Sequence, residues 1–119
     1  MHNFAAILDA AHKAAQEAVK AEEARQPEDM HALDCGFAWV VVDGKEPLAN
    51  WCRQQVKREG GERLAHRMYG SKGYPRGWQW WKPGDFNGQS IRIHEVGARA
   101  FRDKLAEYNI RATVGSRLD

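Results

Sequence analysis

Residues 71–83, Ser-Lys-Gly-Tyr-Pro-Arg-Gly-Trp-Gln-Trp-Trp-Lys-Pro, set Tyr74, Trp78, Trp80 and Trp81 among Lys72, Arg76 and Lys82, with Gly73 and Gly77 between them. Each residue type brings one piece of a ligand site. Indole and phenol rings offer flat apolar faces with one polar atom, cations attract phosphate, and glycine lets the backbone turn sharply or approach a ligand. Together they suit a base stacked on a ring with its phosphate neutralised alongside. The expected ligand is therefore a nucleotide or nucleic acid, held by Lys72, Tyr74, Arg76, Trp78, Trp81 and Lys82, with Arg92 and Arg117 joining the same surface. Two competing readings stay open: all three tryptophans as core and subunit-interface residues, and Arg117 as the ion-pair partner of Asp119 or of an acid near the N-terminus. In a strand, Trp78 and Trp80 share one side while Gln79 and Trp81 share the other, so one pair serves the core and the other is left for stacking.

Other chemistries lack their residues. Zinc needs closely spaced Cys or His ligands; His31 and Cys35 are four apart, with Cys52, His66 and His94 as further candidates, but there is no CxxC, HxxxH or HExxH. A Cys35 nucleophile needs a histidine base from elsewhere, His94 being the best placed. Against this, Cys35 adjoins an apolar run and Cys52 falls on an apolar helix face, where thiols act as small buried hydrophobes. Asp85, Glu95 and Asp103 are scattered rather than paired, and neither GxxxxGK[ST] nor GxGxxG occurs. The expectation is a binding protein with no enzymatic activity, metal or cofactor.

Charge is unevenly spread behind a formal net charge of +2. Residues 1–50 carry 4 Lys/Arg against 9 Asp/Glu, whereas residues 51–82 carry 8 against 2. A basic middle suits a phosphate-bearing partner; pairing of the two halves within the fold or across an oligomer is the alternative. A chain of 119 residues with 43% hydrophobic content makes one domain. There is no apolar run of the ~18 residues a membrane span needs and no leader-like pattern at the N-terminus. A cytoplasmic protein with reduced thiols and no membrane partner is expected.

Positioning elements follow from periodicity. Residues 3–24 repeat Phe4, Ile7, Leu8, Ala11, Ala15, Ala18 and Val19 at helical spacing, and Pro27 ends the helix. Residues 36–42, closed by Asp43-Gly44, read as a central strand. Its Phe37, Trp39 and Val41 face one way and Ala38, Val40 and Val42 the other, so both faces need cover. Pro47 opens a second helix through Val56, stopped by Gly60-Gly61; in residues 62–69, Leu64, Ala65 and Met68 suit a short helical turn, with a strand alternating Leu64, His66 and Met68 as the other reading. Residues 78–82 read as a strand, Pro83-Gly84 with Asn87-Gly88 as a hairpin connection, and residues 90–94 as the return strand. A third helix runs from Val96 to Tyr108 with Asn109 as its cap, and a last strand spans residues 110–114.

After the first helix the order is strand, helix, strand, strand, helix, strand. This is the pattern of an α+β, ferredoxin-like split βαβ sandwich with its first and third strands central, an N-terminal amphipathic helix over residues 1–26 preceding a core over residues 34–119. Two crossover helices cover one face of such a sheet. The other face is expected to meet the N-terminal helix or another subunit, which makes a homo-oligomer the expected assembly.

The segments Cys35-Gly36-Phe37-Ala38-Trp39-Val40, Ser71-Lys72-Gly73-Tyr74-Pro75, Gly77-Trp78-Gln79, Trp81-Lys82-Pro83, Gln89-Ser90, Gly97-Ala98 and Gly115-Ser116-Arg117-Leu118-Asp119 together resemble a family of small uncharacterised proteins encoded by tailed bacteriophages. The resemblance covers residues 34–119. It implies a phage or prophage origin and no particular chemistry; small phage proteins of this sort serve more often in host takeover or anti-defence than in metabolism. Masking of a host protein by the aromatic surface is the alternative to a nucleotide ligand, with a small cysteine- or metal-dependent enzyme behind it.

Overall fold

A computed structural model describes residues 3–26, 35–59, 67–73 and 77–118. Helix α1 spans Phe4–Arg25, strand β1 Gly36–Asp43, helix α2 Pro47–Arg58, β2 Ser71–Lys72, β3 Gly77–Trp81, helix α3 Ile91–Ala106 and β4 Ala112–Leu118. The strands form one four-stranded sheet in the order β2-β3-β1-β4, antiparallel at every junction. The protein is thus α+β, with an N-terminal helix as expected.

Local signals start and stop the helices. Asn3 caps α1, its side chain accepting from the Ala6 N–H at 3.1 Å, and Ile7, Leu8, Ala11, Ala15 and Val19 form the buried stripe. Glu22, also buried on this stripe, is held by Arg25 and by Gln26, whose Nε2 donates at 2.9 Å. Pro47 occupies the first turn of α2, where its missing N–H costs nothing. Its residues Leu48, Ala49, Cys52 and Val56 are buried. After α3, Asn109 takes a left-handed φ of 62° and the Ile110 N–H reaches back to Leu105 O at 3.1 Å, a Schellman-type end that turns the chain into β4.

Several expectations need correction. Residues 90–94 are no return strand: Ser90 caps α3, whose buried residues Ile93, His94, Gly97, Ala98, Phe101 and Leu105 are spaced as a helical face. The Ser-Ile-Arg-Ile-His alternation was too short to separate a strand from a helical first turn. The hairpin partner of β3 lies before it, as β2, and the Gly73 N–H bonds Gly77 O at 2.7 Å across the loop between them. Pro83-Gly84 begins the passage to α3, with Lys82 and Asp85 also at positive φ. Finally, β4 runs to Leu118, further than expected, because it pairs with β1 along its whole length from Ala112↔Val42 to Leu118↔Gly36.

Packing is one-sided. Ala38, Val40 and Val42 of β1 and Trp78 and Trp80 of β3 join Ile7, Leu8, Ala11 and Ala15 of α1, the apolar stripe of α2, and Ala98, Phe101 and Leu105 of α3 in a single core. Trp80 is 1% exposed, and losing a ring of that size from a core costs about 3–5 kcal/mol. The expectation that α1 covers the second sheet face is therefore overturned: α1 lies with the other helices, against α3. Its apolar stripe is spent within the chain and no longer argues for an oligomer. No described helix is long and apolar enough to cross a membrane.

The α1–α3 contact depends on Gly97. A Cβ there would run into Pro83 O and lie 2.8 Å from Val19 Cγ2 of α1. Gly97→Ala is expected to lower stability by about 1–3 kcal/mol through overpacking, seen as a lower urea midpoint at unchanged m. A variant as stable as the parent would refute this close approach.

Candidate functional site

The pleat that buries Trp78 and Trp80 turns the other half of the sheet outward. In register across this second face lie Phe37 with Arg117, then Trp81 with Trp39 and Gly115, then Ser71 with Gln79, Val41 and Thr113. Among the described residues no helix lies across it; the first turn of α3 touches it at one border, where His94 meets Phe37. Trp81 is 43% exposed. Its ring stacks on Trp39 with centroids 5.3 Å apart and planes 18° off parallel, and Phe37 tilts against it at 5.5 Å. The Trp39 indole leans over β4, where a Cβ on Gly115 would meet Trp39 Nε1 and Cε2 at 2.5 Å. Trp81, Trp39 and the bare Gly115 backbone thus overlap like tiles, leaving a flat apolar surface. Beside it stand an exposed guanidinium, Arg117, and the Gln79 amide, neither bonded to another described residue.

Of the described residues expected to bind ligand, Trp81 and Arg117 share this face. Trp78 belongs to the core: it is 4% exposed, its Nε1–H donates to Tyr69 O at 2.6 Å, and the Arg53 guanidinium covers its ring at 5.4 Å. Lys72 is exposed on the two-residue edge strand, in register with Trp78. Lys82 is half-buried with a left-handed φ of 50°, and its charge bears on His94. Arg92 is exposed on the first turn of α3, near enough to Glu22 to favour its carboxylate. Tyr74 and Arg76 lie outside the described residues. Phe37, Trp39, Gln79 and Gly115 were not among the expected site residues. The signal that could have found them was the β1 alternation, which already set Phe37, Trp39 and Val41 on one face.

No family model, curated protein or solved structure matches this chain.

Cysteine chemistry finds little support in the geometry. No disulfide joins Cys35 and Cys52. Cys52 is buried, and desolvation pushes its thiol up to about 12, far from a thiolate nucleophile. Cys35 bridges to Ser90 at the start of α3. The candidate base, His94, sits on α3 rather than on the sheet and is fully buried between Phe37 and Phe86. Its Nε2–H donates to Gly88 O at 2.9 Å, leaving Nδ1 buried without a partner. Among the described residues no cluster of His, Cys, Asp or Glu could hold a metal ion.

Gly115 decides whether the tiles lie flat. Gly115→Val is expected to lift the Trp39 indole, changing near-ultraviolet circular dichroism while the far-ultraviolet helical signal persists; unchanged tryptophan signals would refute the overlap.

Burial also lowers the His94 and His12 pKa values below 6.5. His12 is desolvated against Phe101, with Nε2 on Met68 O at 2.9 Å. The unfolded chain binds these protons first, so this stability is complete above 6.5 and is lost as pH falls toward the folded values. Urea midpoints should drop between about pH 7 and pH 5, less steeply in a His12→Gln, His94→Gln variant. Equal slopes would show that neither histidine titrates on unfolding.

Proposed function

We propose that this chain is a non-enzymatic binding protein whose open sheet face takes a nucleotide or single-stranded nucleic acid. The observation that carries the reading is the exposed Trp81 stacked on Trp39 at 5.3 Å, on a face that no described helix lies across and with Arg117 at its border. An indole held in place by a second indole has already lost much of the freedom it would surrender on stacking a base. Every base has a π-face, so such a surface accepts many sequences, while the guanidinium supplies attraction for phosphate.

The architecture supports the same reading. The order β2-β3-β1-β4 with all neighbours antiparallel is what two interleaved βαβ units produce, so we read the fold as the ferredoxin-like sandwich expected from the sequence. That arrangement leaves one sheet face free when the helices occupy the other, and four-stranded sheets of this shape bind single strands on aromatics of their central strands. Here the central strands β1 and β3 carry Trp39 and Trp81. The resemblance to phage proteins fits a role in host takeover or anti-defence in the host cytoplasm, where such a surface would occupy a nucleotide or nucleic acid of the host.

Trp81→Ala is expected to weaken binding of oligonucleotides by about 1–3 kcal/mol, the worth of one base–ring stack, without lowering the thermal midpoint. Arg117→Ala should weaken it in a salt-dependent way. Calorimetry or fluorescence anisotropy at low salt measures both. No binding of mononucleotides, cyclic dinucleotides or oligonucleotides by the folded protein would overturn the proposal, and a host protein retained by the parent but lost with Trp81→Ala would put protein masking in its place.

A further inference from the structure

The open face does not end at the tiles. Beyond the row of Gln79, Val41 and Thr113 it runs into an open cleft of about 810 Å³, lined by Val41, Thr113, Gly77, Lys45, Asn109 and Arg111. Arg111, at the head of β4, is exposed and makes no ion pair with any described residue, as is true of Arg117 near the other end of the strand. Asp43 and Glu46 also line the cleft. The Asp43 carboxylate, however, accepts the Lys45 N–H at 2.7 Å, and although Asp43 and Arg111 are one step beyond the last β1–β4 pair, Val42↔Ala112, the described residues show no ion pair between them.

Six residue steps of nearly extended chain lead from Arg111 to Arg117, a span of about 20 Å at ~3.4 Å per residue. The stacked indoles lie between these positions on the neighbouring strands. A single nucleotide on Trp81 reaches one arginine at most. A single strand lying along β1 and β4 passes over both, with bases on the tiles and phosphates at either end.

Resting on the reading above, we infer that the ligand is a single-stranded polynucleotide several nucleotides long, and that the Arg111 cleft is its second phosphate contact. The openness of the surface supports this over a mononucleotide: Trp81 stands on an open face, whereas small ligands are held by pockets that bury most of their surface. The polar row of Ser71, Gln79 and Thr113 lies between the tiles and the cleft, within reach of base edges.

Fluorescence anisotropy with labelled oligothymidylates and oligouridylates, from the dinucleotide to the decanucleotide, tests the inference. Affinity is expected to climb with length until the strand spans both arginines, then level off. With the decanucleotide, Arg111→Ala and Arg117→Ala should each lower the slope of log K against log salt by about 0.7, the value for one phosphate contact on a single strand. Arg111→Ala should leave dinucleotide binding unchanged, whereas Trp81→Ala weakens every length. Either sugar supports the strand, and a difference between the two series assigns a role to the 2′-hydroxyl. A dinucleotide that binds as tightly as the decanucleotide, or an unchanged salt slope in Arg111→Ala, overturns this inference while leaving the stacking site standing. No binding at any length overturns both.

Discussion

Everything in this molecule follows from burial on one side of the sheet. Three helices share a single core against Ala38, Val40 and Val42, and the two-residue period of a strand then leaves Phe37, Trp39 and Val41 on the other face. The same rule acts on β3. Its indoles at 78 and 80 are anchored inward by polar atoms as well as by packing, since Trp78 Nε1–H donates to Tyr69 O and Trp80 Nε1–H to Met68 O at 3.1 Å. Slipping β3 by one residue would break both bonds and expose both rings. Trp81 therefore faces outward as a consequence of how its neighbours are held.

The anchors also join distant parts of the chain. Met68 O accepts from Trp80 on the sheet and from His12 on α1, so one carbonyl ties the N-terminal helix, the turn at 67–69 and β3 together. The His12 ring in turn packs edge-on to Phe101 of α3 at 5.0 Å. The N-terminal helix, which could have been an appendage, is thereby built into the core that orients the tiles. On the opposite border, Phe37 touches both Trp81 and the buried His94, so the first turn of α3 reaches the aromatic face.

Much of this was legible in the sequence, and the misses have physical causes. The helices at residues 4 and 47, β1, β3 and the two faces of the tryptophan segment follow from period and punctuation alone. A strand of two residues has no period to read, so β2 passed unseen inside the glycine-rich segment and residues 90–94 took its place. The site was half legible. Trp81 and Arg117 were among the expected residues and share the candidate face, but their neighbours Trp39 and Gly115 depend on the register between strands distant in sequence, and register is set by turns and core packing. Trp78 was included because an indole in an aromatic, basic segment looks the same in one dimension whether it points in or out.

An exposed aromatic face and an open strand edge on one small protein invite self-association. The sequence of β4 works against it along one route. If two copies paired antiparallel about Val114, each Arg111 would lie opposite the other copy's Arg117, and like charges directly opposed across strands are destabilising. The two arginines that border the open face thus also guard its edge against that pairing. A flexible phosphate backbone meets no such penalty, because it brings negative charge to both positions and lies over the face rather than alongside the edge. The same two charges that oppose this pairing at the rim would attract the proposed anionic chain lying across the face.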